Sequence, residues 1–517
     1  MKKINFSIIF EKIKSKKRFF NIVLVLIIWI ATVVLFAKHS IGNPNFWFDE
    51  SGQFWIAKGL NHYSQPFAPE GGLTQVLKNN AKFNLDPGGF SIILHFWTIL
   101  STNHNFLRSL PFLFFVIAMI VVFKLSTLWK SQNHLVYFGG FILLSSSLLK
   151  QYAFELRPYS MEMLTTIIAL YFCYKIPDIL NSRKYALFSG SLLALLLTSR
   201  YSAFFSILSL GILIFVMLIL KFFKKKNVIN FILFTIPIIV SVISICIFSL
   251  RYQNPSGTPP EYIREFMFKT SSVSKILFNK ESFFTIFPFL LLTLIFLFSL
   301  KIKFLRKITK QYRLYFFYAL ILNLIFILLS TLGRYTWGIN SRWDISTHTI
   351  FTIAWIPLLL IFTSFFHKKY FVHNVFQFVV LVFFVLYFFN QANIFRYVAN
   401  DSVYDNFIAN NLSQDSKILI NASASPTTRY LFEYGLLKNY KNSNTYRNLS
   451  IFNHTYYISE KSIKNLDDIE EYDYIILTHI DYTKSEIKKI LSQKSNWVDC
   501  TTKDPSKIFK NIEKISI

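Results

Sequence analysis

Long apolar runs separated by short, alternately basic segments constrain this chain more than any other feature of its 517 residues. Lipid offers the backbone no hydrogen-bond partner, so each crossing must be a helix of about 20 mostly apolar residues. Eleven stretches are expected to cross: Phe19–Ala37, Ser109–Trp129, His134–Tyr152, Tyr159–Tyr174, Tyr185–Ser199, Ala203–Leu220, Val228–Leu250, Ser282–Leu300, Leu314–Leu332, Ile350–Phe366 and Val372–Asn390. The fourth and fifth are short, but they enter and leave as a pair, so the sidedness of everything after them does not depend on either.

Lys and Arg in short loops are retained on the cytoplasmic side. The N-terminal segment carries Lys2, Lys3, Lys12, Lys14, Lys16, Lys17 and Arg18. Alternate loops then carry Lys130, Arg183 with Lys184, Lys221 with Lys224 to Lys226, the group from Lys301 to Arg313, and Lys368 with Lys369. Every second loop is basic, which sets the N-terminus inside and the C-terminus outside. The formal net charge of +28, from 55 basic and 27 acidic residues, is thereby accounted for by membrane orientation, and a nucleic-acid partner loses its support. The first run is too long for a signal-peptide core and lacks a small-x-small cleavage site, so it reads as an uncleaved helix. Three cysteines, Cys173, Cys246 and Cys500, are too few and too scattered for a disulfide scaffold or a thiolate metal cage.

The expected fold class is a polytopic α-helical membrane protein of about 11 transmembrane helices over residues 1–390, with a small C-terminal extracytoplasmic α/β domain at 391–517. In that tail, strand-like runs at Lys417–Asn421 and Tyr474–Thr478 alternate with helical stretches at Thr427–Leu437 and Lys484–Ser492. Asn-x-Ser/Thr sequons at Asn411, Asn421, Asn448 and Asn453 arise readily in so Asn-rich a segment. Lys, Asn, Ile and Phe richness suggests an AT-rich bacterial genome, and the expected location is a bacterial cytoplasmic (inner) membrane.

The unusual sequence lies outside, above all in the first outer loop, 38–108. Trp47 to Leu60 reads as a short amphipathic helix at the membrane surface, with two adjacent acids, Asp49 and Glu50, at its start. Acids in a first turn complement the helix dipole whether or not they do chemistry. Further on, Asp86-Pro87-Gly88-Gly89 turns into the apolar helix Phe90 to Trp97, followed by Leu107-Arg108-Ser109-Leu110-Pro111. Were Asp86 to Leu100 a crossing, Lys130 and the later basic loops would all become external, so parity lays this helix along the outer surface. The second outer loop reads Tyr152-Ala153-Phe154-Glu155-Leu156-Arg157-Pro158-Tyr159-Ser160.

In their order and spacing these four motifs resemble the integral-membrane glycosyltransferases of the GT-C fold, in the bacterial branch related to protein O-mannosyltransferases and aminoarabinose transferases. The resemblance covers about the first 200 residues well and the later helices loosely. One departure stands out: some relatives carry a basic, lipid-phosphate-binding residue just before the Pro of the turn, where this chain has Asp86.

The resemblance implies an inverting transfer of a sugar, hexosyl or pentosyl, from a polyprenyl-phosphate donor to a lipid, glycan or protein acceptor hydroxyl on the outer face. Such a hydroxyl needs a carboxylate to take its proton. Asp49, the first acid of the family pair, is the candidate base, with Glu50 orienting it or binding a sugar hydroxyl. The departing phosphate gains charge, and a fixed arginine stabilises it. Arg157 is the first candidate and Arg342 the second, and the implied substrate-binding set is Arg157, Tyr159, Glu155, Arg342, Asp86 and Arg200. Snorkelling to lipid headgroups is the alternative for each arginine, Arg108 and Arg200 in particular. For Glu155 and Glu162 the structural reading is ion pairing with Arg157, and the functional one is holding acceptor or sugar. His95 and Trp97 read as interfacial packing. No cofactor is required, although Asp49, Glu50, Glu155 and His95 would make an oxygen-rich set for a divalent metal. Two other classes stay open: a transporter or flippase of a lipid-linked saccharide, against which stand the loop-end position of the charges and the lack of repeated halves, and a non-catalytic binding protein working through its outer domain.

Overall fold

The protein is described by a computed structural model covering residues 23, 26, 27, 29–38, 46–61, 64, 67–84, 86–129, 142–253, 280–335, 342–365, 413–421, 425–435, 437–447, 450–452, 472–477, 497–499 and 507–511. Over these residues the chain is mainly helical. In chain order its longer helices are α1 (Trp29–Lys38), α2 (Phe48–Ala57), α3 (Leu73–Phe83), α4 (Gly89–Leu100), α5 (His104–Leu128), α6 (Ser147–Phe154), α7 (Tyr159–Cys173) and α8 (Arg183–Leu197). There follow α9 (Ala203–Lys221), α10 (Lys225–Ile245), α11 (Lys280–Lys301), α12 (Arg313–Thr331), α13 (Ile345–Ile353), α14 (Trp355–Phe365) and, in the tail, α15 (Ser425–Glu433).

The chain divides into two compact units. One comprises residues 1–37, 111–154 and 158–393; the other comprises 38–110, 155–157 and 394–517. The first long loop therefore groups with the tail, and so does the three-residue segment Glu155 to Arg157.

Five stretches among the described residues are long and apolar enough to cross a membrane: His104–Leu128, Ala203–Leu220, Lys225–Gln253, Lys303–Thr331 and Ile345–Phe362. The α10 segment shows why lipid is the fitting solvent. Ile232, Ile236, Ile239, Val240, Ile243 and Ile247 recur three and four residues apart and each is about half exposed, an apolar stripe that water would penalise. Its other side packs on α8, where the two backbones come so close that a Cβ on Gly190 would lie 2.2 Å from the Phe234 carbonyl oxygen. Small residues permit such approach between membrane helices. Gly190→Ala should consequently cost about 1–3 kcal/mol through overpacking, read as a lowered unfolding temperature in detergent. Helices α7 and α8, at 15 residues each, rise only about 22 Å and are too short to span about 30 Å of hydrocarbon untilted. The expected spans Phe19–Ala37 and His134–Tyr152 are described in part, and Val372–Asn390 lies outside the described residues. Helix α13 begins at Ile345, five residues before the expected apolar run, because a polar turn, Ser346-Thr347-His348-Thr349, is itself helical and buried.

In the second unit, α2 has acids in its first turn and closes where Gly59 adopts φ +72°. Gly59 N–H donates to Ile56 O (2.9 Å) and Leu60 N–H to Trp55 O (2.8 Å), the paired bonds of a Schellman cap. A side chain on Gly59 would meet the Gly71 backbone at 2.5 Å, so the turn needs glycine on two counts. Helix α4, at 12 residues, spans about 18 Å and cannot cross. The tail carries a five-stranded sheet of order β2-β1-β3-β5-β4, with β1 (Ile418–Asn421), β2 (Ser450–Phe452), β3 (Tyr474–Leu477), β4 (Trp497–Asp499) and β5 (Lys507–Asn511). Strand β1 runs parallel to β2 and β3, while β5 is antiparallel to β3 and β4. Helix α15 connects the parallel strands β1 and β2 and packs on α2. Trp55 Nε1 donates to Pro426 O (2.8 Å), the Ser51 and Thr427 hydroxyls meet at 3.1 Å, and the Arg429 guanidinium lies 4.0 Å from the Trp55 ring centre.

Candidate active site

Within the second unit, expected site residues come from four separate stretches of sequence, around Asp49, Asp86, Arg108 and Arg157. Asp49 and Glu50 are consecutive on α2 and so project about 100° apart: Asp49 is half-buried and Glu50 fully buried. Glu50 receives Arg108 in a two-bond clasp, Nε to Oε1 at 2.9 Å and Nη2 to Oε2 at 2.6 Å. Neither side chain has exposed surface. The Leu156 backbone N–H adds a third bond to Oε1 at 2.9 Å, and the guanidinium sits 5.3 Å from the Phe46 ring centre. Glu50 thus ties α2, the start of α5 and the segment 155–157 together. Expected beside Asp49 in the chemistry, it is instead engaged at both oxygens as an anchor, and Arg108 is a buried partner rather than a snorkelling side chain.

Arg157 is held in another way. Its Nη2 lies 3.2 Å from Asn84 Oδ1 and 3.6 Å from Asp86 Oδ2, and its Nη1 lies 3.5 Å from Gln53 Oε1. These amides are ordered by one another. Asn84 Nδ2 donates to Gln53 Oε1 (3.0 Å), Gln53 Nε2 to Ser91 Oγ (2.7 Å), Ser91 Oγ to Asn80 Oδ1 (2.6 Å), and Asn80 Nδ2 to the Asp86 carbonyl (2.8 Å). Helix α2 supplies Gln53, α3 supplies Asn80, the turn supplies Asn84 and Asp86, and α4 supplies Ser91. Glu155 is buried in the same segment, its carbonyl accepting from Arg157 N–H at 2.6 Å. Sequence reasoning missed this amide platform. The one signal was the spacing of Asn80 and Asn84, four apart.

His95 Nδ1 meets Ala57 O at 2.7 Å, and Trp97 donates to Phe106 O at 3.1 Å while stacking on its ring. Both serve packing, as expected. Among the described residues no three His, Cys, Asp or Glu side chains gather closely enough to hold a metal ion. Glu50, bound by Arg108 and Leu156, does not fit the divalent-metal set proposed from sequence.

A second polar cluster belongs to the first unit. Arg200 Nη1 donates to Glu162 Oε2 and to the Arg342 carbonyl, each at 2.7 Å, and its guanidinium lies 4.8 Å from the Tyr159 ring centre and 5.8 Å from that of Trp343. The other Glu162 oxygen accepts from Ser346 Oγ at 2.7 Å, and Thr166 joins Ser346 (3.1 Å) to Ser206 (2.9 Å). Glu162 was expected beside Arg157; it pairs with Arg200, because on α7 it faces the bundle. Arg200 is likewise a buried partner rather than a snorkelling residue. Arg342 stacks against Trp343 at 5.8 Å. Tyr335 donates to Trp343 O (2.7 Å), and burial, reinforced by the Glu162 charge, pushes its phenol well above the usual range, so it stays a donor.

No family model matches the sequence, and no curated protein matches it by sequence. In three dimensions the chain is similar to ArnT from Cupriavidus metallidurans in the apo state, with 10% identity over 95% of this chain and 98% of that one and a TM-score of 0.51. The same enzyme bound to undecaprenyl phosphate gives 0.49 at 10% identity, over 94% and 97% of the two chains. The oligosaccharyltransferase AglB from Archaeoglobus fulgidus, in complex with an inhibitory peptide and a dolichol-phosphate, gives 0.46 at 9% identity, over 89% of this chain and 70% of that one. The likeness to apo ArnT establishes the fold: this chain has the GT-C architecture.

Proposed function

We propose that this chain is an inverting glycosyltransferase that moves a hexosyl or pentosyl group from a polyprenyl-phosphate donor to a hydroxyl of a lipid, glycan or protein acceptor. It would work on the outer face of a bacterial cytoplasmic membrane, with the N-terminus cytoplasmic and the tail forming an extracytoplasmic α/β domain. The observation that carries this reading is that Arg157 is held by the amides of Gln53 and Asn84, Gln53 standing one turn along α2 from the half-buried acid Asp49.

The chemistry follows from Asp49 and Arg157. The acceptor oxygen attacks the anomeric carbon from the side opposite the phosphate, giving inversion, while its proton passes to the Asp49 carboxylate. The bond from the anomeric carbon to the phosphate oxygen breaks, and the carrier leaves as a phosphate monoester with one more negative charge. Arg157 meets that growing charge, an interaction stronger in the transition state than in the ground state and therefore catalytic. The amide platform fixes the guanidinium in advance, so no ordering cost falls on the reaction. Arg200, bound to Glu162, and Arg342 with Tyr159 line the first unit's own cluster, where they suit sugar or acceptor hydroxyls. No step is assigned to a metal.

Undecaprenyl-phosphate-linked hexoses and pentoses, radiolabelled in the sugar, test the proposal with membranes holding the wild-type chain or Arg157→Gln. Label should move to acceptor with release of undecaprenyl phosphate, and the variant should lose about 10²–10³-fold in rate. Undiminished transfer by Arg157→Gln would dismiss this arginine, and failure of the wild type with every donor would dismiss the reaction.

A further inference from the structure

The geometry points to Asp86 as an exchangeable counter-ion of Arg157: a positioning residue whose carboxylate balances the guanidinium at rest, yields to the carrier's phosphate on binding, and by its repulsion speeds release of the phosphate product. The inference rests on the proposed reading of Arg157 as a phosphate ligand. It starts from the contrast among three arginines. Arg108 and Arg200 touch their carboxylates at 2.6 Å and 2.7 Å, and in each case the second carboxylate oxygen is bonded as well. A buried pair so closed holds its charges together and has no reason to open. Arg157 and Asp86 stand 3.6 Å apart, beyond hydrogen-bond length, although their side chains are only 14% and 6% exposed.

At that separation the attraction persists, yet position does not depend on it. Asn84 and Gln53 contact the guanidinium at 3.2 Å and 3.5 Å, and the Asp86 backbone is fixed separately by Asn80. In these contacts the hydrogen bonds to the guanidinium come from neutral amides and the opposite charge from the acid. An arriving phosphodiester carries one negative charge, so it can take over the neutralisation of Arg157 without the guanidinium moving. After transfer the carrier's phosphate monoester carries a second charge, and a carboxylate a few ångströms away repels a dianion more than a monoanion.

Binding of tritiated undecaprenyl phosphate to the detergent-solubilised full chain tests this, for the wild type, Asp86→Asn, Arg157→Gln and the double variant. Asp86→Asn should bind about fivefold tighter, equivalent to ~1 kcal/mol, and should lower kcat together with the KM for donor. A merely structural role would loosen binding rather than tighten it. Arg157→Gln should abolish binding, and in the double variant the asparagine should restore none of it. Unchanged or weaker binding by Asp86→Asn overturns the counter-ion, as does a gain that persists without Arg157. Inorganic phosphate competing as effectively as the lipid would overturn the exchange with the carrier. Absence of lipid binding by the wild type would instead overturn the underlying reading of Arg157.

Discussion

Asp49→Asn is expected to lower sugar transfer by about 10²–10⁴-fold while leaving the protein folded and its binding of undecaprenyl phosphate intact. Asparagine keeps the shape of the side chain and its compatibility with the first turn of α2, where Asp49 is half-buried, but it cannot accept a proton. The loss should fall on kcat with little change in donor KM, because the base acts on the acceptor and only during bond-making. Two controls give the result its meaning. The variant should elute and unfold as the wild type does, since the neighbouring anchor, Glu50, is untouched. Arg157→Gln should show the opposite division, losing lipid-phosphate binding as well as rate. If Asp49→Asn retained full transfer, the base would have to be sought elsewhere in the unit, and Asp86, near Arg157, would be the next acid to test.

The interiors of the membrane helices and the acids at the head of α2 were legible because they rest on local rules, apolar run length and first-turn charge. The motifs of the first 200 residues were legible as an ordered set. What the set could not disclose is which charge meets which. Glu162 lies five positions from Arg157 along the chain, yet Pro158 starts a new helix whose buried face carries Glu162 to Arg200 and Ser346. Glu50 and Arg108 are 58 residues apart and nothing local pairs them. The amides Gln53, Asn80 and Asn84 looked like ordinary polar residues in an Asn-rich chain; only the packing of α2, α3 and the Asp86 turn makes them a platform. The start of α13 was misjudged for a related reason. Ser346, Thr347, His348 and Thr349 are polar and fall outside the expected apolar run, but the bundle buries them, and Ser346 is spent on Glu162. In the tail, β1 and β3 fall on the two expected strand runs, whereas the expected helix Lys484–Ser492 lies outside the described residues.

The largest effect on stability is expected at the Glu50–Arg108 pair. Glu50→Gln should destabilise the protein by about 3–5 kcal/mol, seen as a large drop in unfolding temperature in detergent and in the yield of folded protein. The reason is asymmetric. With Glu50 neutralised, the Arg108 guanidinium stays fully buried with its charge uncompensated, and the Leu156 N–H loses its ionic acceptor. Removing both charges should be far milder, so Glu50→Met with Arg108→Met is expected to recover most of the stability, its apolar side chains filling the space beside Phe46. Recovery of stability should not bring full recovery of activity. The clasp also sets where the 155–157 segment lies, and hence how Arg157 reaches Asn84, Gln53 and Asp86. A double variant as stable as wild type yet weaker in binding undecaprenyl phosphate would show that this pair orders the site through Leu156. If Glu50→Gln costs less than about 1 kcal/mol, as for an exposed pair, the clasp is not what draws the sequence motifs together.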